Sequence, residues 1–208
     1  FRYDVITHLS DKGYQVHLIA ESDGYEKKFD GNIICHDVNF SGRNIAIMGQ
    51  LRVFIVLSKL LTQIQPHLVF NFTIKPNIYS GILCRLKGIR YVSMITGLGY
   101  FFNNSNIFFK KMIKTILRVS LKKSHEVWFT NESDRDIYLD ESIIKTNRIS
   151  IVPGAGIDTN MIGKFKYNQK NVITFVMISR LLKEKGTFEY IEAAKFFYKY
   201  NKYKFVLI

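Results

Sequence analysis

An arginine, a lysine and a glycine spaced to suit a phosphorylated ligand lie in the segment Ser179-Arg180-Leu181-Leu182-Lys183-Glu184-Lys185-Gly186-Thr187. The segment follows the apolar run Val172–Ile178 and precedes a helical pattern from Phe188 to about Tyr200. A β-branched run bounded by a polar loop reads as a buried parallel strand. Backbone N–H groups at the start of the next helix point outward unpaired, and the helix dipole favours negative charge there. Arg180 offers a planar fork and Lys185 a point charge, five residues apart and both leading into the helix start near Gly186. Together they suit a diphosphate, and hence a nucleotide-linked substrate. Taken alone, the same residues fit a solvated basic loop. Their placement between a strand and a helix start favours the ligand.

Other segments sit at comparable positions. Thr96-Gly97-Leu98-Gly99-Tyr100 follows the strand pattern 91–95, and Pro153-Gly154-Ala155-Gly156 follows 148–152. Glycines there let a backbone approach a ligand closely, although an ordinary tight turn fits the first loop equally well. Lys75-Pro76-Asn77 opens a helix, and helix-start punctuation explains it better than a phosphate contact. Asp134-Arg135-Asp136 spells D-x-D, but residues two apart on a helix do not face each other, so a solvated face is expected. The five histidines (8, 17, 36, 67, 125) show no metal-ligand spacing, and no G-x-S-x-G elbow is present. No metal and no cofactor are expected.

The helical pattern at 106–123 carries Lys110, Lys111, Lys114, Arg118 and Lys122 within an arc of about 120°, with Phe108, Phe109, Met112, Ile113, Ile116 and Val119 opposite. A basic amphipathic helix of this kind can lie on anionic lipid headgroups. A core helix with a solvated basic face gives the same pattern.

These loops need a scaffold. Helical patterns at 1–12, 44–65, 76–87, 106–123, 132–139 and 188–200 alternate with strand patterns at 15–20, 33–38, 68–72, 91–95, 126–130, 148–152, 172–178 and 203–208. Such alternation means βαβ units and a parallel sheet, with ligands beyond the carboxyl ends of the strands. The 208 residues are 47% hydrophobic and contain 3 prolines, which suits a packed core and argues against disorder. The net charge of +13 divides into +4 over residues 1–104 (11 basic, 7 acidic) and +9 over 105–208 (19 basic, 10 acidic). This excess points to an anionic partner. Nucleic acid is not expected, because no RRM, zinc-finger or basic-zipper pattern is present. Cys35 and Cys84 read as reduced core residues of a cytosolic protein. No apolar run approaches the ~20 residues needed to span a bilayer. A nicotinamide-binding oxidoreductase is disfavoured, since Gly97-Leu98-Gly99 is followed by Phe102 where G-x-G-x-x-G needs its last glycine.

Five segments in this order resemble the family-4 glycosyltransferases of GT-B fold. They are Phe1–Ala20, Lys75-Pro76-Asn77-Ile78-Tyr79, Ile95–Tyr100, Gly154-Ala155-Gly156-Ile157-Asp158 and Ser179–Gly186. The subset most alike adds an N-acetylhexosamine to an undecaprenyl-diphosphate-linked sugar. The resemblance implies an α/β fold of two Rossmann-like domains. Residues 1–163 are expected to form the acceptor-side domain, without its first strand, and 164–208 the start of the nucleotide-sugar domain. It implies that Arg180, Lys185 and Gly186 hold the donor diphosphate, and that Thr96, Gly97 and Gly99 line the cleft near the donor sugar. Many relatives carry His in place of Thr96 and Gly in place of Ser179.

The implied activity is retaining, metal-independent transfer from a UDP-sugar to a lipid-linked or saccharide acceptor, at the inner face of the plasma membrane. The chain is expected to be an internal piece of the enzyme, lacking the E-x7-E segment that completes the donor site, and inactive by itself. The competing expectation is a non-catalytic membrane-surface module that keeps half of a GT-B fold.

Overall fold

A computed structural model describes residues 2–29, 32–40, 47–97, 107–145, 148–154, 156, 159 and 172–208. The chain divides into two compact units, Phe1–Ile157 and Asp158–Ile208. Every strand pairing in both is parallel. Strand–helix alternation runs through each unit, and the fold is α/β.

The first unit opens with α1 (Tyr3–Asp11), β1 (Val16–Ala20) and β2 (Ile33–Asp37). It continues with α2 (Ile47–Ile64), β3 (Val69–Phe72), α3 (Ile74–Lys87) and β4 (Tyr91–Ile95). It closes with α4 (Ile107–Leu121), β5 (Glu126–Phe129), α5 (Glu132–Asp140) and β6 (Ile149–Ile151). β1 and β2 form one two-stranded sheet, and β3-β4-β5-β6 form another in that order. Register is fixed by pairs such as Val16↔Ile33, Val69↔Tyr91 and Val92↔Glu126.

β4 is buried along its whole length, as a central parallel strand covered on both faces should be. Near its amino end Leu57, Leu61, Leu83, Cys84 and Tyr91 form a core that Ile19 and Val69 also join. Near its carboxyl end, Ile95, Leu117, Leu121, Val127, Phe129 and Tyr138 pack together. Between α3 and α4 the contact is small and polar. A Cβ on Gly81 would stand 3.2 Å from the Ser120 carbonyl oxygen, and the Tyr91 hydroxyl donates to that same oxygen. Burial pushes the Tyr91 hydroxyl up to about 12.

Local signals place the helix ends. Gly88 (φ 68°) closes α3 in the left-handed region, its N–H region capping back toward Cys84. The Asn131 side chain accepts from the Asp134 N–H at the start of α5. Asp134 and Asp136 are thereby explained: one sits in that cap, where Asn131 Nδ2 also donates to its carboxylate, and the other pairs with Arg135 at 2.8 Å. Among the described residues no group of three or more His, Cys, Asp or Glu is placed to hold a metal ion.

In β1–β2, His17 Nδ1 and His36 Nε2 lie 3.0 Å apart, a contact that needs one proton between two nitrogens. Burial, then the neighbouring His36 charge, lowers the His17 pKa. The unfolded chain takes up a proton there near its ordinary value of 6.5, where the folded chain still holds a neutral ring. This contribution is therefore complete above that pH and is lost as pH falls below it. The melting temperature is expected to drop on acidification from about pH 7 to pH 5. His17→Gln is expected to flatten that profile in a thermal-shift series, and an unchanged slope would assign the acid sensitivity elsewhere.

The second unit comprises β7 (Ile173–Met177), α6 (Thr187–Phe197) and β8 (Tyr203–Leu207), with Ile173↔Tyr203 and Phe175↔Phe205 in register. The Tyr190 hydroxyl reaches across to the strand backbone, accepting from Val206 N–H at 3.0 Å and lying 2.9 Å from the Phe175 carbonyl oxygen. α6 ends at Phe197, short of the Tyr200 that periodicity suggests. Residues 198–202 are needed for the turn that enters β8, where Tyr203 N–H meets the Tyr200 carbonyl.

Candidate donor-phosphate site and relatives

The Arg180–Gly186 loop begins where β7 ends. Ser179 N–H donates to the Ile208 carbonyl at 3.1 Å, so the loop leaves beside the end of β8. Leu182 N–H returns to the Arg180 carbonyl at 2.8 Å, and a single 3-10 turn, Lys183–Lys185, follows. Gly186 then adopts φ 77°, ψ 21° and opens α6. That left-handed geometry is one an L side chain rarely adopts, which is why the position suits glycine. No side chain caps the start of α6, so its first N–H groups are not used by a cap. The Thr187 hydroxyl instead points back to the Leu182 carbonyl at 3.0 Å and ties the loop to the helix start.

Arg180 and Lys185 are both exposed, and among the described residues neither side chain has an ion-pair or hydrogen-bond partner. The structure thus brings Arg180, Lys185, Gly186 and a helix N-terminus into one short loop at a strand's carboxyl end. Two unspent cations beside unspent N–H groups can stabilise charge on a phosphate or diphosphate.

The second set of candidates lies in the first unit. Thr96 is exposed and Gly97 half-buried at the carboxyl end of β4, and Gly97 has φ 138°. Gly99 lies outside the described residues. Lys75 sits in the first turn of α3 and donates its ammonium to the Phe40 carbonyl at 2.7 Å.

Two residues near these strand ends escaped sequence reasoning. Thr73 links β3 to α3 at φ 68°, ψ 169°, a region otherwise almost reserved for glycine. Asn77 Nδ2, fully buried, donates to the Met94 carbonyl at 2.9 Å and pins the α3 start that follows Thr73 against β4. Arg2 lies with its guanidinium 3.9 Å from the centre of the Phe72 ring and donates to Met94 Sδ. It brings a cation to the carboxyl ends of β3 and β4. Nothing in the spacing of Thr73 or Arg2 marks them out, because both depend on contacts from distant parts of the chain.

Of the basic residues on α4, Lys114 pairs with Glu141. Arg118 donates to the carbonyls of Ser142 (2.8 Å) and Glu141 (2.7 Å), at the end of α5. Lys110 and Lys111 line a hollow with Ile107, Lys114, Arg118 and Glu141. Lys111 and Lys122 are exposed.

Parallel α/β units of this kind match the GT-B type of fold, and solved structures agree on it. A glycosyltransferase from Rickettsia africae ESF-5 superposes over 99% of this chain and 55% of its own, with TM-score 0.65 at 16% identity. A UDP-N-acetylglucosamine 2-epimerase covers 92% of this chain and 63% of its own, with TM-score 0.54 at 12% identity. The profile of the Glycosyl transferase 4-like family matches residues 1–131, and the chain belongs to that family. A curated relative from Escherichia coli, UDP-Gal:alpha-D-GlcNAc-diphosphoundecaprenol alpha-1,3-galactosyltransferase, is 24% identical over 205 residues. That alignment takes in 93% of this chain and 52% of the relative, so the chain spans about half the length of the protein it matches.

Proposed function

We propose that the full-length protein is a glycosyltransferase that moves a sugar from a UDP-sugar to a lipid-linked or saccharide acceptor. The observation that carries this reading is the β7–α6 loop, in a chain of the Glycosyl transferase 4-like family. There Arg180 and Lys185 stand unpaired among the described residues, beside the uncapped start of α6. As the anomeric bond breaks, the leaving nucleoside diphosphate gains negative charge. Arg180, Lys185 and the N–H groups beyond Gly186 would stabilise it, with no reorganisation at the moment of reaction. Fixed cations at that position favour transfer without a divalent metal. Retention at the anomeric carbon follows the family resemblance, and no side chain is assigned as nucleophile. Thr96 and Gly97, with Gly99, are proposed to line the approach to the donor sugar. Units 1–163 and 164–208 are proposed as acceptor-side and donor-side.

The acceptor proposed is a sugar on a lipid diphosphate, as in the name of the Escherichia coli relative. The donor is an N-acetylhexosamine by resemblance and a galactose by that relative. The deciding experiment incubates full-length protein, with and without EDTA, with a panel of UDP-sugars and a sugar-diphospholipid. Mass spectrometry then identifies the product, and NMR its anomeric configuration. Loss of activity in EDTA overturns metal independence. No product with any donor favours the competing reading, a non-catalytic module.

A membrane surface is proposed as a further partner, and its cytoplasmic face as the place, on one specific observation. Residues 107–123 hold six cations and no acid, on a helix with exposed apolar side chains. No helix among the described residues is long and apolar enough to cross a membrane, so the contact proposed is peripheral.

A further inference from the structure

The outward face of α4 is not the one that periodicity suggests. Phe108, Met112 and Val119, which the sequence pattern groups with the core side, are exposed at 79%, 39% and 41%. The core is instead met by Leu117, Ser120 and Leu121, with Ile113 packed alongside. At 3.6 residues per turn, Phe108, Met112 and Val119 form one ridge, and Lys111 and Lys122 run beside it, all within about 100° of arc. Ile107, 86% exposed, extends the ridge at its N-terminal end. The basic arc is therefore divided. Lys114 and Arg118 are spent on the end of α5, while Lys110, half-buried, and Lys111, exposed, both line the hollow beside Glu141. Lys111 and Lys122 have no such partner among the described residues.

We propose that this ridge is the membrane-docking surface. Phe108, Met112 and Val119 enter the headgroup–acyl boundary of an anionic bilayer, and Lys111 and Lys122 take lipid phosphates. α4 then lies along the surface over about 20 Å, the rise from Phe108 to Lys122. The argument for a bilayer is complementarity. An apolar ridge beside unspent cations, in a stretch with no carboxylate of its own and with the neighbouring Glu141 paired to Lys114, matches a surface that is apolar beneath and uniformly anionic above. The assignment rests on the membrane reading above and adds to it the face and the residues.

The test uses full-length protein and vesicles of phosphatidylcholine with or without phosphatidylglycerol. Co-sedimentation with the anionic vesicles is expected to weaken about fivefold for each of Lys111→Gln and Lys122→Gln. Phe108→Ser is expected to weaken it about tenfold. In a Phe108→Trp variant, lipids brominated on the acyl chain are expected to quench the introduced indole. Lys202→Gln, in the second unit, serves as the control and is expected to leave binding unchanged. Binding that persists in all three α4 variants, with the introduced indole unquenched, overturns the face assigned here and leaves the membrane reading standing. No sedimentation with either vesicle overturns both. Weakening without quenching, together with pull-down by an acidic polypeptide, replaces the bilayer by a protein partner and overturns the proposal.

Discussion

Replacing Arg180 by alanine in the full-length protein is expected to lower turnover by a factor of about 100 to 1,000. That range corresponds to removing one preorganised contact to a charge that grows in the transition state, ~3–4 kcal/mol. The guanidinium is exposed, and no ion pair or hydrogen bond of its side chain within the described structure is lost with it, so the fold should be little affected. The effect should therefore appear in kinetics and not in melting temperature. If Arg180 meets the diphosphate equally in ground and transition states, affinity for the UDP-sugar falls and kcat is preserved. If it meets mainly the departing charge, kcat falls instead. Lys at this position restores charge without the fork and should recover only part of the loss. Donor affinity and turnover both unchanged in Arg180→Ala would remove the diphosphate role. Steady-state kinetics with isothermal titration of the donor separates these outcomes.

The second large effect concerns stability. Gly81→Val is expected to destabilise the first unit by about 1–3 kcal/mol, the usual range for overpacking. The added Cβ alone would stand 3.2 Å from the Ser120 carbonyl oxygen and 3.6 Å from the Tyr91 ring. Neither neighbour is a flexible chain end. Two γ-methyls then have no room unless α3 and α4 move apart, which would also strain the Tyr91–Ser120 hydrogen bond. Gly81→Ala is the informative control. Its tight contact is opposed by a helix-propensity gain of up to ~1 kcal/mol, so its effect should be small. Urea unfolding followed by circular dichroism measures both. Equal stability for Val and wild type would show that the two helices separate at no cost.

Elements whose signal is local could be read from the sequence. The mostly apolar Tyr91–Ile95 run, Pro76 in the first turn of α3 and Gly88 just past its end each act within a few residues, and the structure places the strand and helix there. The Arg180–Gly186 loop was legible for the same reason, since it is one contiguous segment with a strand before it and a helix after. What escaped depends on contacts between distant residues. The strained Thr73 is held by a helix start that Asn77 ties to Met94. Arg2 reaches Phe72 and Met94, about seventy and ninety residues away. The face of α4 was misassigned because hydrophobic period alone cannot tell which apolar stripe meets the core. Ser120, a polar residue, is fully buried there, while Phe108 is exposed.

The unequal burial of β4 and β7 bears on how the protein opens. β4 is buried at all five positions, whereas β7 is exposed at four of its five. Amide protons held by well-covered strands exchange only in large openings, and those held by thinly covered strands escape through small ones. Within these 208 residues, which span about half the length of the relative they match, the segment carrying Arg180 and Lys185 thus belongs to the part that opens most easily. A ligand that binds only the closed form of that segment stabilises it in proportion to the logarithm of its concentration over its dissociation constant. Donor binding and local order at the loop would then be one equilibrium, with occupancy by the nucleotide sugar slowing solvent exchange along β7 and β8.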